Sequence, residues 1–198
     1  GPFRTGREYA GRSFEGMSEG GPVIADIVFE DCSFLDCSFP GAEFRGCEFR
    51  ECRLLRCDLG LIHPTNSLFD GCGFEDSRLI GVNWTEAAWN ASKLRRPLRF
   101  LRCVLDHSTF LGLDLSEAAF EECIAHDVDF READLARSTF CGTDLAGSLF
   151  GGTDLSGADL SAATNYRIHP AENRLEGARF SFPEAMALLQ GLDIELVE

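Results

Sequence analysis

The 198-residue sequence contains no run of about 18 apolar residues, so nothing in it reads as a helical membrane span. No basic segment followed by an apolar stretch stands near its start, so no secretory leader is expected. It has no nucleophile elbow, no phosphate-cradling glycine loop and no His-Glu-x-x-His pattern, which leaves catalysis without support and implies no cofactor. Tyrosine and tryptophan are scarce, two each against seventeen phenylalanines. Basic residues are also short, 18 against 33 acidic, for a net charge of −15. That balance argues against nucleic acid or an anionic membrane as a direct partner, and suits solubility or a partner with a basic groove. Nine cysteines, an odd number with no leader, favour a reducing cytoplasm over disulfides. Gly1-Pro2 has the form of a protease-tag scar and is set aside.

What is present is a repeat. From Phe29 a large apolar residue returns every fifth position: Phe34, Phe39, Phe44, Phe49, Leu54, Leu59, then Phe69, Phe74, Leu79, Trp84, Trp89 and Leu94. One extra residue at Arg95-Arg96-Pro97 shifts the frame, which resumes at Phe100 and continues through Leu160. Asn165 and Pro170 break it before Leu175 and Phe180 restore it. Of 31 such central positions, 27 are Phe, Leu or Trp. Two residues earlier lies a second inward slot of small residues, which takes eight of the nine cysteines, all but Cys141. That placement reads them as small buried hydrophobes, because zinc ligands would have to converge on a point. Period five suits neither a helix nor simple strand alternation; around a helix such residues would face every direction.

The pattern resembles the pentapeptide-repeat family, with close matches at Ala133-Asp134-Leu135, Thr143-Asp144-Leu145, Thr153-Asp154-Leu155 and Ala158-Asp159-Leu160. The resemblance covers about residues 24 to 180. It implies an all-β fold: a right-handed quadrilateral parallel β-helix with four five-residue sides per coil. About eight coils rising ~4.8 Å each make a rod of roughly 40 Å. Residues 1–23 would hold the scar and a partial coil containing Tyr9 and Phe14, and residues 24–180 the solenoid. Residues 181–198 would form a capping and dimerisation tail, since Pro183, Glu184 and Gly191 mark the start and stop of a short helix. Beyond it, Leu192 to Val197 alternates as a half-buried strand would.

All 26 Asp and Glu from Asp26 to Glu176 fall on outward positions. Asp114, Asp134 and Asp154 recur at 20-residue spacing and should stack on one side; with Asp144 and Asp159 they make the candidate partner-binding acidic face. The plain alternative is that Asp before the central Leu is repeat consensus. Spread evenly, the charge is about one per 2.7 Å, within a factor of two of duplex DNA at ~1.7 Å. Lys93, Arg95, Arg96, Arg99 and Arg102 form a basic cluster that either contacts a partner or neutralises the rod. Asp106-His107 and His126-Asp127, stacked one coil apart, would be a metal site or a pair of solvated ion pairs. Met186, Leu188, Leu189 and Leu192 are candidate dimer contacts, cap residues, or both.

Within the family the layout most resembles the topoisomerase-protecting members, the quinolone-resistance proteins and the immunity proteins against albicidin and microcin-type gyrase poisons. The shared features are length, acidic coat, Gly81-Val82-Asn83-Trp84, and the tail from Asn165-Tyr166 through Leu192-Asp193-Ile194. That resemblance implies a DNA-mimicking homodimer, paired through its C-terminal end, that occupies the DNA saddle of gyrase or topoisomerase IV. The quinolone-resistance proteins carry long loops, whereas this sequence shows only short interruptions, which favours the loop-less immunity type. A protein-binding scaffold with a different partner is the alternative.

Overall fold

A computed structural model describes residues 3–89, 96–192 and 194–195. The chain winds into a parallel β-helix of about eight turns. Its four sides are named here by their central residues. The first carries Tyr9, Phe29, Phe49 and Phe69 in paired strands, and the second Phe14, Phe34, Leu54, Phe74, Phe100 and Phe120. Further sides run through Phe39 and Leu59 (the third) and Ile24 and Phe44 (the fourth). Partners along a side are 20 residues apart, as with Phe29 and Phe49, so each coil takes four repeats.

Phenylalanine dominates because a flat ring fills the rise between coils and carries no polar atom into a filled interior. Phe29, Phe49 and Phe69 stack at 5.0 and 4.8 Å between centroids. Phe110, Phe120, Phe130 and Phe140 meet edge to face across the bore at 5.5 to 5.6 Å. A tyrosine in such a place leaves its hydroxyl without a partner, as happens at buried Tyr166. The second slot accepts small polar groups because the preceding coil supplies partners. Ser67 Oγ donates to the Phe44 carbonyl and accepts from the Cys47 amide, both at 2.9 Å. The eight slot cysteines are buried, and burial pushes the Cys57 thiol up to about 12, which keeps it protonated.

The ladder begins before residue 24. Tyr9 pairs with Phe29 and Phe14 with Phe34, and Gly20-Gly21-Pro22 interrupts the pattern but not the bonding, since Gly21 N–H still reaches the Pro40 carbonyl at 2.9 Å. Phe3 lies over the open end, its ring 5.2 Å from both Phe14 and Phe29. At the other end, residues Glu184–Leu192 form a 3-10 helix whose Ala187 and Leu188 pack on the core. Of the strand expected after it, the described Ile194 and Glu195 are exposed and in no strand. Asp193 and residues 196–198 lie outside the described residues.

The frame shift is also larger than the sequence suggests. Gly73 pairs with Arg99 and Phe74 with Phe100, 26 positions on, so this coil has six extra residues and not one. Six is five plus one, and the repeat register cannot tell the two apart. Ala88 still sits over Ser67, and the chain has returned to the coil by Arg96, whose carbonyl takes the Gly71 amide at 3.2 Å. Trp89, next after Ala88, is half-buried against the core and lines a small cavity with Arg96, Pro97, Leu98 and Leu115. Leu94, read as the next centre, lies outside the described residues. At the other breaks the coil keeps its length. Pro64 is buried in place, and Tyr166 and Ile168 fill the core where Asn165 turns outward.

Candidate functional site

The Asp preceding a central residue is chosen by the corner it opens. Asp134 Oδ1 accepts the Ala136 N–H at 2.9 Å, and Asp144 and Asp159 accept those of Ala146 and Ser161 at 3.1 and 2.9 Å. Asp114 and Asp154 take the amides of Ser116 and Ser156 at 3.1 and 2.9 Å, and their hydroxyls as well. These are Asx turns, side-chain copies of a backbone turn. Each leaves a carboxylate fixed in orientation at the surface.

Asp114 pairs with Asp134, and Asp134 with Asp154, along the first side, so the ladder exists. It ends at Arg174, 3.0 Å from Asp154. The Ser156 hydroxyl and amide, with Arg174, hold the Asp154 carboxyl below the usual range. The other two acids do not join it. Asp144 lies on the third side, and Asp159 on the second, 3.4 Å from Arg179. The grouped five thus occupy three sides.

The acid is not evenly spread along the rod. Residues 1–102 carry 15 acidic and 13 basic side chains, while residues 103–198 carry 18 acidic and five basic. Nearly all the net charge lies in the second half. There, residues 103–180 hold 14 acidic and five basic side chains over somewhat less than four coils. That is about one net charge per 2 Å of rod, close to duplex DNA.

The basic cluster separates into neutralised and free members. Arg96 is clamped between Glu51 and Asp70, whose carboxylate is 2.9 Å away and nearly buried beneath it. Arg102 lies 2.7 Å from Asp76 and also reaches Glu75. Arg99 is exposed and pairs with no carboxylate among the described residues. Arg95 and Lys93 lie outside the described residues. The histidines separate as well: His107 faces Asp127 at 3.7 Å, while His126 bonds Asp144 at 2.9 Å. Among the described residues no three potential ligands gather around a metal position.

In the tail, Leu188 packs on the core, Leu189 is half-buried, and Met186, Leu192 and Phe182 are exposed, Phe182 at 82%. The capping and the exposed apolar roles thus fall to different residues. Sequence reasoning passed over one strip on the second side, where Leu35, Leu55 and Leu101 occupy outward positions. Apolar residues one step after the centre were the available signal.

Among the described residues no helix is long and apolar enough to cross a membrane. A comparison with curated proteins finds no match. Among solved structures, the chain is similar to a trypsin-treated form of QnrB1, a plasmid-mediated fluoroquinolone resistance protein, at 18% identity and TM-score 0.51, covering 93% of this chain and 100% of that one. It is also similar to HetL, a pentapeptide repeat protein involved in heterocyst differentiation regulation in the cyanobacterium Nostoc, at 16% identity and TM-score 0.50, covering 88% and 85%. At such identities the likeness concerns the fold. The family profile for a pentapeptide repeat region matches residues 27–98, and that for pentapeptide repeats matches residues 99–135 and 126–161. With most of its length matched and the coil register to account for it, the chain belongs to the pentapeptide-repeat family.

Proposed function

We propose that the protein is a DNA mimic that binds a type II topoisomerase, gyrase or topoisomerase IV, and protects it from a poisoning antibiotic. The observation that carries this reading is the Asp114, Asp134 and Asp154 ladder in the acidic half of the rod. Its carboxylates are fixed by their own backbones, and the charge density around them is close to that of duplex DNA. Preorganised charge of this kind attracts a basic saddle without having to order flexible side chains first. The exposed Met186 and Leu192 support a homodimer through the C-terminal end, which would double the length of the acidic surface. The six-residue excursion removes the loop-less layout as a reason to prefer the immunity type over the quinolone-resistance type.

A direct test is binding to the gyrase DNA gate in competition with duplex DNA. Reversing all three ladder residues to Lys should weaken binding by about a hundredfold at low salt, and added salt should weaken the unmodified protein. The protein should also restore supercoiling in the presence of a gyrase poison. Binding that survives the triple reversal and ignores ionic strength would remove mimicry. The second reading, a scaffold for another protein, draws on the near-neutral first half and on the similarity to HetL; it would then stand alone.

A further inference from the structure

Outward positions on this rod face water, yet on the second side Leu35, Leu55 and Leu101 are half-buried leucines. They share a shallow cleft of about 410 Å³ with Arg53, Gly73 and Arg99. Gly73 pairs with Arg53 on one side and Arg99 on the other, and a Cβ built on it would meet nothing within 4 Å. The cleft therefore has a notch at its middle, between two guanidinium groups two coils, or about 10 Å, apart. Arg56 and Arg102, next to them, are held by Asp36 at 2.6 Å and Asp76 at 2.7 Å. Arg53 and Arg99 are exposed and pair with no carboxylate among the described residues. Of the two acids in the cleft, Glu75 is bonded by Arg102 and Glu121 lies at the far end. Two free cations flanking an apolar notch fit an extended strand that carries carboxylates between apolar side chains.

The chain contains such a segment. Leu192-Asp193-Ile194-Glu195-Leu196-Val197-Glu198 alternates so that, extended, Leu192, Ile194 and Leu196 share one face and Asp193 and Glu195 the other. Leu192 and Ile194 are 42% and 52% exposed. Gly191 rests against His169 on the fourth side, opposite the second, so the tail leaves the coil on the side away from its own cleft. We propose that residues 192–198 of one copy dock in the second-side cleft of another, with the tail carboxylates on Arg53 and Arg99 and its apolar face on Leu55 and Leu101. Because the tail leaves on one side and the cleft lies on the opposite side, the contact is head-to-tail, each copy's tail reaching the next copy's cleft. Nucleic acid fits less well, because the cleft floor is apolar and the rod as a whole repels a polyanion. This contact is distinct from pairing at the C-terminal end, because the cleft lies several coils away from it, and it does not depend on that pairing.

Sedimentation equilibrium on full-length chains tests it. Arg53→Glu with Arg99→Glu, and separately Asp193→Arg with Glu195→Arg, should each weaken self-association about tenfold, and the quadruple variant should restore it because the charges are exchanged. Circular dichroism checks folding, and Arg53→Gln with Arg99→Gln gives a milder pair should the reversal unfold. A fluorescein-labelled peptide of residues 190–198 should bind the Asp193→Arg, Glu195→Arg chain and lose that binding when Arg53 and Arg99 are also reversed. Self-association unchanged by the cleft variants overturns the docking while leaving end-to-end pairing in place. A protein monomeric at submillimolar concentration overturns both without touching gyrase binding. Binding of a short DNA duplex at the cleft in place of the peptide also overturns it.

Discussion

Residues 28–75 and residues 105–160 run the same five-residue repeat but close their corners differently. In the first stretch, corners such as Asp31, Asp36, Glu51 and Arg56 have φ of 50 to 52° and each follows a three-residue strand. Their slot residues are mostly cysteines, whose thiols donate across the coil, as Cys52 does to the Phe29 carbonyl at 3.4 Å. In most corners of the second stretch the slot N–H returns to the central carbonyl three residues back, as Ala118 does to Leu115 at 3.0 Å and Ser138 to Leu135 at 3.1 Å; the first stretch closes this way at Ala42, Ile62 and Ser67. With positive φ at the residue before the slot, these are type II turns, and glycine suits them at Gly112, Gly142, Gly147 and Gly157. The first kind of corner leans on neighbouring coils; the second closes on itself.

The difference bears on charge. In the first half arginines tie carboxylates one coil away, as Arg56 does Asp36 and Arg78 does Asp58, so acid and base nearly balance. In the second half the turn binds its own Asp, and few arginines accompany it. An acidic surface can accumulate there because each carboxylate already has backbone donors, which offset the like-charge repulsion of the ladder.

The two halves should nonetheless share one core. Phe49→Asp and Phe140→Asp should each cost about 5 kcal/mol or more and abolish soluble expression, since an unpaired carboxylate would lie between stacked rings. Glu121→Lys, outward in the same coil system, should express normally. If one half tolerated its substitution, the continuous stack would not be the common support.

How much of this was legible in the sequence follows from what period five encodes. The coil, the inward slots and the stacked Asp114, Asp134 and Asp154 depend only on spacing, and spacing is visible. The excursion was hidden because its extra six residues shift the frame as one would. Whether Arg96 contacts a partner or neutralises the rod stayed open because Asp70 and Glu51, which neutralise it, are remote in sequence and meet it only where the long coil returns. Asn165 read as a break because the core position moves one residue to Tyr166 while the coil keeps its length. The unequal halves were countable from the start, but a whole-chain net charge averages them away.

A smaller effect should separate the two corner types. Gly147 has φ of 72°, and an added Cβ would lie 2.2 Å from Asp127 Oδ1. Gly147→Ala should therefore lower stability by about 1–2 kcal/mol, with the Asp127 side chain moving aside. Asp31→Ala, at a first-half corner that already holds a Cβ, should be nearly silent. Thermal unfolding of the two variants measures this, and equal losses would mean that the corners differ in bonding but not in what they demand of the residue.

The smallest effect distinguishes the acidic half by pH. The Asp144 hydrogen bond raises the His126 pKa above its ordinary value. Burial works against ionisation of Asp144, but hydrogen bonds from Asn165 and His126 outweigh it and hold its carboxyl below the usual range. A raised histidine contributes stability that is fully present below about pH 6.5 and lost as pH rises through its folded value; a lowered carboxyl contributes above about pH 3.8 and loses that as pH falls through its own. The pair should therefore stabilise most between about pH 4 and 6.5. His126→Gln should lower the Tm there and match the unmodified protein in mildly alkaline buffer, where the imidazole is neutral in both states. The group is partly exposed, so salt should shrink the difference further. A Tm difference that stays constant across that range would mean that His126 acts by packing over the third side, and that the acidic half gains nothing from the Asp144 carboxylate being bonded to both Asn165 and His126.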